Sequence, residues 1–366
     1  MFKVGEKSKS VSADRDGSRD HIVKRRGSMS QLSKSATGVV FCGIDVSAAT
    51  LAVAVEQQDQ PVVEREFPNN ASGHKALIGW LGQRGHARVS LEATGVYSLD
   101  LALALDAAEG IEVQVLNPKV AHRFGQTLSR SKTDPVDART LAVYSRRMEF
   151  TGWRAPSRSQ MQLRSLTRHI DNLTAELTRG KNRLHAAKVS DMTPACIVED
   201  LQNALESLEC RIHVLRREAL ALVRADAVLK ENFELLISIP GIAKVSALQI
   251  LGELVVLSPE LSVRQWVAHS GLDPAHHISG SSIHKPSRIS RAGNRALRRV
   301  LYMPALVAIQ HDPHIKAFYR ALVHRHKAKM QALIAVARKL LHAIYGVLKS
   351  ATPYNGQKLF PQIQTI

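Results

Sequence analysis

Val39-Val40-Phe41-Cys42-Gly43-Ile44-Asp45 opens the part of the chain that reads as folded. It is an apolar run that ends on an acid. A second run, Leu51-Ala52-Val53-Ala54-Val55, follows after a short Ser-Ala-Ala-Thr turn, and residues 62–67 alternate as a third strand. Three short runs joined by tight turns predict a meander of adjacent antiparallel strands. Downstream, the pattern predicts a helix over 71–81, a strand over 87–91 that ends at Glu92, and a helix over 97–108 closed by Gly110. A strand over 111–116, stopped by Asn117-Pro118, and a helix beginning near Asp134 complete the series. The order β-β-β-α-β-α-β-α implies a mixed sheet with helices packed on it.

Upstream, residues 1–36 hold Ser, Lys and Arg with almost no apolar periodicity, and read as a disordered basic arm. Downstream the period changes. Leu163, Leu166, Ile170, Leu173, Leu177 and Leu184 keep a heptad spacing, as do Leu201, Leu205, Leu208, Ile212, Leu215 and Leu222, with a break at 190–194. Two helices of about 35–40 Å are expected, folded back as an antiparallel coiled-coil hairpin or paired with another copy. Charged flanks favour an exposed dimerising arm over an internal core. From residue 231 the chain reads as helical. The expected organisation is therefore an arm (1–36), an α/β domain (37–155), a coiled coil (156–228) and a helical domain (229–366).

Charge narrows the partners. The 366 residues carry 50 Lys and Arg against 32 Asp and Glu, a formal net of +18. From Pro274 onward there are fifteen Lys and Arg and one acid, Asp312. Such a balance points to a polyanion, and to binding that weakens with salt. No stretch of 18 uncharged apolar residues occurs, so no membrane partner is expected. Three cysteines without metal-site or disulfide spacing fit a reducing compartment, and the expected location is intracellular.

Four acids stand at element ends. Asp45 closes the first strand and Glu92 the fourth, while Asp134 and Asp137 share one face at the start of the last helix. With the first and fourth strands adjacent at the sheet centre, and that helix across their ends, four carboxylates converge. Like charges so placed repel unless cations lie between them. Hard oxygen donors in that number suit two Mg²⁺ ions in phosphoryl transfer. Taken singly, each acid could be an ordinary surface or capping residue, Asp134 especially.

A second group is Ser279-Gly280-Ser281-Ser282, among Lys285, Arg288, Arg291, Arg295, Arg298 and Arg299. Cations there would hold a phosphodiester, and a serine hydroxyl could attack it. Spacing alone does not choose among the three serines, and His276, His277 and His284 are weak metal ligands without cysteine partners. Ile239-Pro240-Gly241-Ile242 ahead of Lys244 has the form of a helix-hairpin-helix turn, whose N–H groups can hold a phosphate. An ordinary helix turn has the same residues.

These pieces together resemble a family. Gly43-Ile44-Asp45-Val46-Ser47, Leu91-Glu92-Ala93-Thr94-Gly95-Val96-Tyr97, Asn117-Pro118 and Lys132-Thr133-Asp134-Pro135-Val136-Asp137-Ala138 stand in its order. So do Ile239-Pro240-Gly241-Ile242, Ser270-Gly271-Leu272-Asp273-Pro274, Ser279-Gly280 and Ile289-Ser290-Arg291-Ala292-Gly293-Asn294 with Leu297-Arg298. Over residues 38–350 the chain resembles the DEDD transposases of insertion sequences, relatives of the pilin-gene invertase and known as bridge-RNA-guided recombinases.

The resemblance implies a RuvC-like RNase H fold whose Asp45, Glu92, Asp134 and Asp137 bind metal. It also implies a C-terminal transposase domain in which Ser279 forms a phosphoserine link to DNA. From charge and the Pro-Gly turn, Gly241, Lys244, Lys285, Arg288, Arg291, Arg295 and Arg298 are the expected contacts to nucleic acid. Family members form dimers and tetramers through the coiled coil, with composite sites shared between subunits. A structured guide RNA pairs with donor and target DNA. Ala48 departs from the pattern, where many members carry Lys, and the arm is longer than typical. The expected activity is RNA-guided DNA cleavage and strand exchange. A junction nuclease using water and a non-catalytic nucleic-acid scaffold are the alternatives.

Overall fold

Val40–Val46 forms the central strand of the first of two units, between which the chain divides after Phe150. The computed structural model describes residues 38–57, 60–93, 95, 97–128, 133–279 and 283–359, with backbone alone at 276–279, 283–286 and 359. The expected arm over 1–36 lies outside the described residues.

In the first unit the described elements are β1 (Val40–Val46), β2 (Thr50–Glu56), β3 (Val63–Pro68), α1 (Ala71–Gly82), β4 (Ala87–Glu92), α2 (Leu99–Asp106), β5 (Ile111–Leu116), α3 (Pro118–Leu128) and α4 (Asp134–Arg147). The sheet order is β3-β2-β1-β4-β5. β1 pairs antiparallel with β2, Asp45 facing Ala52, and parallel with β4, Ile44 facing Leu91. Each central strand buries an apolar face built from alternate residues: Val40, Cys42 and Ile44 in β1 and Val89 and Leu91 in β4 are fully buried. β3 buries Phe67 alone among its side chains, and its charged residues suit a sheet edge.

Two features of this unit differ from the sequence reading. Asn117-Pro118 starts a helix as well as ending a strand: Asn117 Oδ1 accepts from the Lys119 N–H at 2.9 Å, and proline suits a first turn. α4 lies on the face of the sheet rather than across the strand ends. Its backbone at Ala138, Leu141 and Ala142 sits against Gly43, and Ala54, Ala138 and Ala142 form a small-residue seam. Its C-terminal end reaches the start of β4, where Ser145 Oγ donates to the Arg88 carbonyl at 3.0 Å. α4 therefore runs antiparallel to β1, and its first turn lies at the end of β1 that carries Asp45.

The second unit begins with α5 (Arg158–Val189) and α6 (Ala195–Ala225), packed on each other, then α7 (Ala227–Ile237), α8 (Lys244–Leu254) and α9 (Val263–Ser270). A hairpin of β6 (Pro274–Ser279) and β7 (Ile283–Ile289) follows, then α10 (Arg295–Val300), α11 (Tyr302–His311), α12 (Pro313–His324), α13 (Lys329–Ser350) and α14 (Gly356–Leu359). The strand pair interrupts a stretch expected to be helical throughout. Its His-His-Ile and Ile-His-Lys runs are too short for the sequence pattern to separate strand from loop.

α5 starts on a capping box, with Ser157 Oγ accepting from Gln160 N and the Gln160 side chain reaching back. The heptad residues divide their burial. Leu163, Ile170, Leu173 and Ile212 join the core of this unit with residues of α7, α8 and α13. Towards the bend, Val189, Met192 and Ile197 are exposed. α13 is long and apolar enough to cross a membrane by length and composition. Its Val336, Leu340, Leu341 and Ile344 are buried in the core, which accounts for its composition; burial of each contributes about 1.5–3 kcal/mol.

Candidate functional site

The four acids stand at the same end of the sheet, near enough for Asp134, Asp137 and Glu92 to act on Asp45. Asp45 is the next-to-last residue of β1, and Glu92 is the last of β4. Thr133, in extended backbone, is the N-cap of α4, so Asp134 is the first helical residue and not the cap that its position suggested. Asp137 N–H donates to the Thr133 carbonyl at 2.9 Å, and both acids stand in the first turn, where the helix dipole favours negative charge. Burial pushes the Asp45 carboxyl up to about 6, helped by the charges of Asp134, Asp137 and Glu92 and opposed by a hydrogen bond from the Val46 backbone. Four carboxylates from three elements thus act on one another through a shared field.

Oxygen donors of this kind suit a hard divalent cation. Their side chains are near but not gathered: among the described residues no three His, Cys, Asp or Glu groups form a ready metal-holding arrangement.

Asn69 ties this end of the sheet together. Its Nδ2 donates to the Ser47 carbonyl at 2.7 Å and to the Tyr97 carbonyl at 3.1 Å, and its Oδ1 meets His74 Nε2 at 2.8 Å. Ser47 and Tyr97 lie just beyond Asp45 and Glu92. The sequence signal was only an Asn-Asn pair before a helix, which reads as a cap. Asn70 is that cap, accepting from Gly73 N.

In the second unit, Ser279 ends β6 opposite Ile283. The Ser279 and Lys285 side chains, Ser281, Ser282 and Lys132 lie outside the described residues, as do the side chains of His276, His277 and His284. Arg288, Arg291 and Arg295 are exposed. Arg298 Nη1 donates to the Ser270 carbonyl at 2.8 Å, and burial, then the charges of Arg291 and Arg295, lower the pKa of its guanidinium. Three cations therefore crowd one loop and helix start. Arg299 instead pairs with Asp171. Lys244 is exposed in the first turn of α8. Gly241 has φ of 91°, and a β-carbon there would stand 2.9 Å from the Ala308 nitrogen of α11, so packing alone requires glycine.

One group behind this loop was not anticipated. Glu253, 3% exposed, accepts two hydrogen bonds from Arg168, at 2.8 and 3.0 Å, and one from Asn294 Nδ2 at 2.6 Å. Asn294 Oδ1 in turn caps α10 at Leu297 N. A lone acid in Ile250-Leu251-Gly252-Glu253-Leu254 was the available signal, since an acid inside an apolar helix face needs a buried partner.

An acidic cluster at the ends of adjacent parallel strands, with a cation-rich helical unit in the same chain, is the make-up of a DNA-processing enzyme. Residues 42–188 match a transposase family model of the DEDD type, and residues 233–320 match the model described as the transposase IS116/IS110/IS902 family. The chain belongs to this transposase family, whose members cleave and rejoin DNA. It is 29% identical over 296 residues to the pilin gene-inverting protein of Moraxella bovis, covering 79% of this chain and 89% of that one. The pilin gene-inverting protein of Moraxella lacunata matches to the same extent. A 43.6 kDa protein of insertion element IS110 from Streptomyces coelicolor is 24% identical over 244 residues, covering 67% of this chain and 56% of that one.

Proposed function

We propose that this transposase carries out RNA-guided, site-specific strand exchange through a phosphoserine intermediate. The observation that supports it most is the Asp45 carboxyl, held up by burial and by Asp134, Asp137 and Glu92. Such mutual repulsion is costly without a cation, and acids at a catalytic centre are where it is found.

The reading takes residues 37–155 as a RuvC-like domain of RNase H fold, a proposal that the β3-β2-β1-β4-β5 order supports. It takes 156–228 as a coiled coil through which copies form dimers or tetramers, and 229–366 as the transposase domain. The acids of one subunit would work with Ser279 of another. Asp45, Glu92, Asp134 and Asp137 would hold Mg²⁺, which supplies charge neutralisation at the scissile phosphate.

Ser279 Oγ attacks phosphorus in line. The phosphorus–serine bond forms, the bond to the leaving sugar oxygen breaks, and the proton lost by serine is returned to that oxygen. The ester keeps the energy of the phosphodiester. A sugar hydroxyl from the exchanged strand then attacks, rejoining DNA and freeing Ser279. Lys285, Arg288, Arg291, Arg295 and Arg298 would hold phosphates, with Gly241 and Lys244 on a second backbone contact. Donor DNA, target DNA and a guide RNA are the partners, in the cytoplasm at the nucleoid.

The test uses the full chain with DNA carrying the element's ends and RNA transcribed from the flanking non-coding segment. Wild type is expected to yield a covalent protein–DNA adduct that depends on that RNA. Ser279→Ala should yield none, and Asp45→Asn should lose cleavage. Cleavage by Ser279→Ala at the wild-type rate would replace this reading with a nuclease that uses water. Unchanged excision by Asp45→Asn would leave only a scaffold.

A further inference from the structure

A cavity of about 570 Å³ lies where Ala48, in the turn after β1, and Tyr97, in the loop after β4, come together, and it is lined by Asn69, His74, Lys75, Ile78 and Asp100 among others. Its size is in the range of sites that take a nucleotide-sized molecule. We infer that it receives one unpaired nucleotide of the DNA or RNA substrate, the base against the Tyr97 ring and the phosphate at Lys75. The inference rests on the proposed nucleic-acid chemistry and adds a binding subsite to it.

Construction of the walls carries the argument. Asn69 bonds at once to the Ser47 and Tyr97 carbonyls and to His74, and its own N–H donates to Ala49 at 2.8 Å. The turn after β1 and the loop after β4 are thereby fixed as two sides of one groove. Because the Asn69 amide nitrogen faces two carbonyls, its oxygen must accept, so His74 carries its proton on Nε2. His74 is buried, and burial lowers its pKa, with the charge of Asp100 opposing. It is a neutral strut, which leaves Lys75 as the cation of this groove.

Tyr97 is 52% exposed and lines the cavity, so its ring is accessible to a stacking partner. Ile78 and Ala104 give the cavity an apolar floor beside that ring. Asp100 on the rim repels phosphate but accepts from the exocyclic amine of a base. Lys75 does the reverse. Ring, acid and cation therefore match the face, edge and backbone of a single nucleotide. A base inside a duplex cannot enter a concave site, so the occupant is unpaired. Strand exchange separates strands next to the acids, and a base stacked here would hold one of them in place.

The experiment places 5-iodouracil at successive positions of a single-stranded oligonucleotide, irradiates it with the full chain, and maps adducts by peptide mass spectrometry. One register is expected to cross-link at Tyr97. Tyr97→Ala should bind the single strand about tenfold more weakly and duplex DNA within twofold of wild type, while Tyr97→Phe keeps wild-type affinity. Tyr97 is exposed, so both variants should keep the wild-type melting transition. Cross-links confined to other segments, or equal binding by Tyr97→Ala, would overturn the inference. Binding and cross-linking need no turnover, so Asp45→Asn run alongside separates failure of this subsite from failure of the catalytic reading.

Discussion

Gly43 of β1 lies directly beneath Ala138 of α4. A β-carbon at Gly43 would overlap the Ala138 carbonyl oxygen and the Ala142 nitrogen, and would stand 2.6 Å from the Leu141 carbonyl carbon. Those are backbone atoms of a packed helix and cannot swing aside. Asp45 is two residues along one partner, and Asp137 is next to the other. Gly43→Ala is expected to destabilise the first unit by about 3 kcal/mol, at the upper end of overpacking costs. Denaturant unfolding of the full chain, followed by a probe in the first unit, would measure it. Gly79→Ala is the control. Nothing lies within 4 Å of a β-carbon there, on an exposed face of α1, so a gain of about 0.5–1 kcal/mol is expected.

Asp45 gives the first unit a defined pH response. Its folded pKa of about 6 lies above the ordinary carboxylate value. Between about pH 4 and 6 the native state keeps a proton that the unfolded chain has released. Stability therefore falls as pH rises through that window, and the penalty stays constant above it. Half-exposure screens the effect to about 1 kcal/mol. In chelator, Asp45→Asn should be more stable than wild type by that amount at pH 8, and equal to it below pH 4. Excess Mg²⁺ should raise wild-type stability at pH 8 and leave Asp45→Asn unchanged. Parallel urea titrations at the two pH values, with and without the ion, test both parts.

The acids could be read ahead of the structure because strand ends and helix starts are local. An apolar run that stops at Asp45 or Glu92, and a Thr-Asp-Pro start at 133–135, carry their own signals. What the sequence did not show depends on the third dimension. α4 lies on the sheet face because Gly43 and Ala54, cross-strand partners in β1 and β2, leave room for Ala138 and Ala142, which come much later in the chain. The roles of Asn69 and Glu253 are not legible in sequence because each bonds to residues that spacing cannot bring together: Tyr97 28 positions on, Arg168 85 positions away. The hairpin at 274–289 was hidden by its composition.

Glu253 should behave as a structural anchor for the arginine loop. Burial would raise its pKa, but hydrogen bonds from Arg168 and Asn294 outweigh burial and hold the carboxyl below its usual value. The stability this gives is present above the ordinary carboxylate pKa and lost as pH falls through the lower folded value. Glu253→Gln keeps the shape and loses the charge. It is expected to cost about 1–2 kcal/mol at pH 7, since a buried pair loses one partner while Arg168 keeps access to water. Urea unfolding should show that cost shrinking towards pH 3.

Arg295 and Arg299 stand four residues apart in one short stretch, yet only substitution of Arg295 should change DNA binding. Arg299 is paired with Asp171, so its charge is committed within the fold. Arg295 is exposed and, with Arg291, adds to the field that lowers the Arg298 pKa, a repulsion that a phosphate would relieve. DNA affinity is expected to fall steeply with salt, because each neutralised phosphate releases counterions. Arg295→Ala should reduce the slope of log K against log salt by about 1 and weaken all sequences alike. Arg299→Ala should leave that slope unchanged. Fluorescence-anisotropy titrations over a salt series, on one duplex and one unrelated sequence, measure both slopes. A slope that Arg295→Ala does not move would remove this loop from the DNA surface.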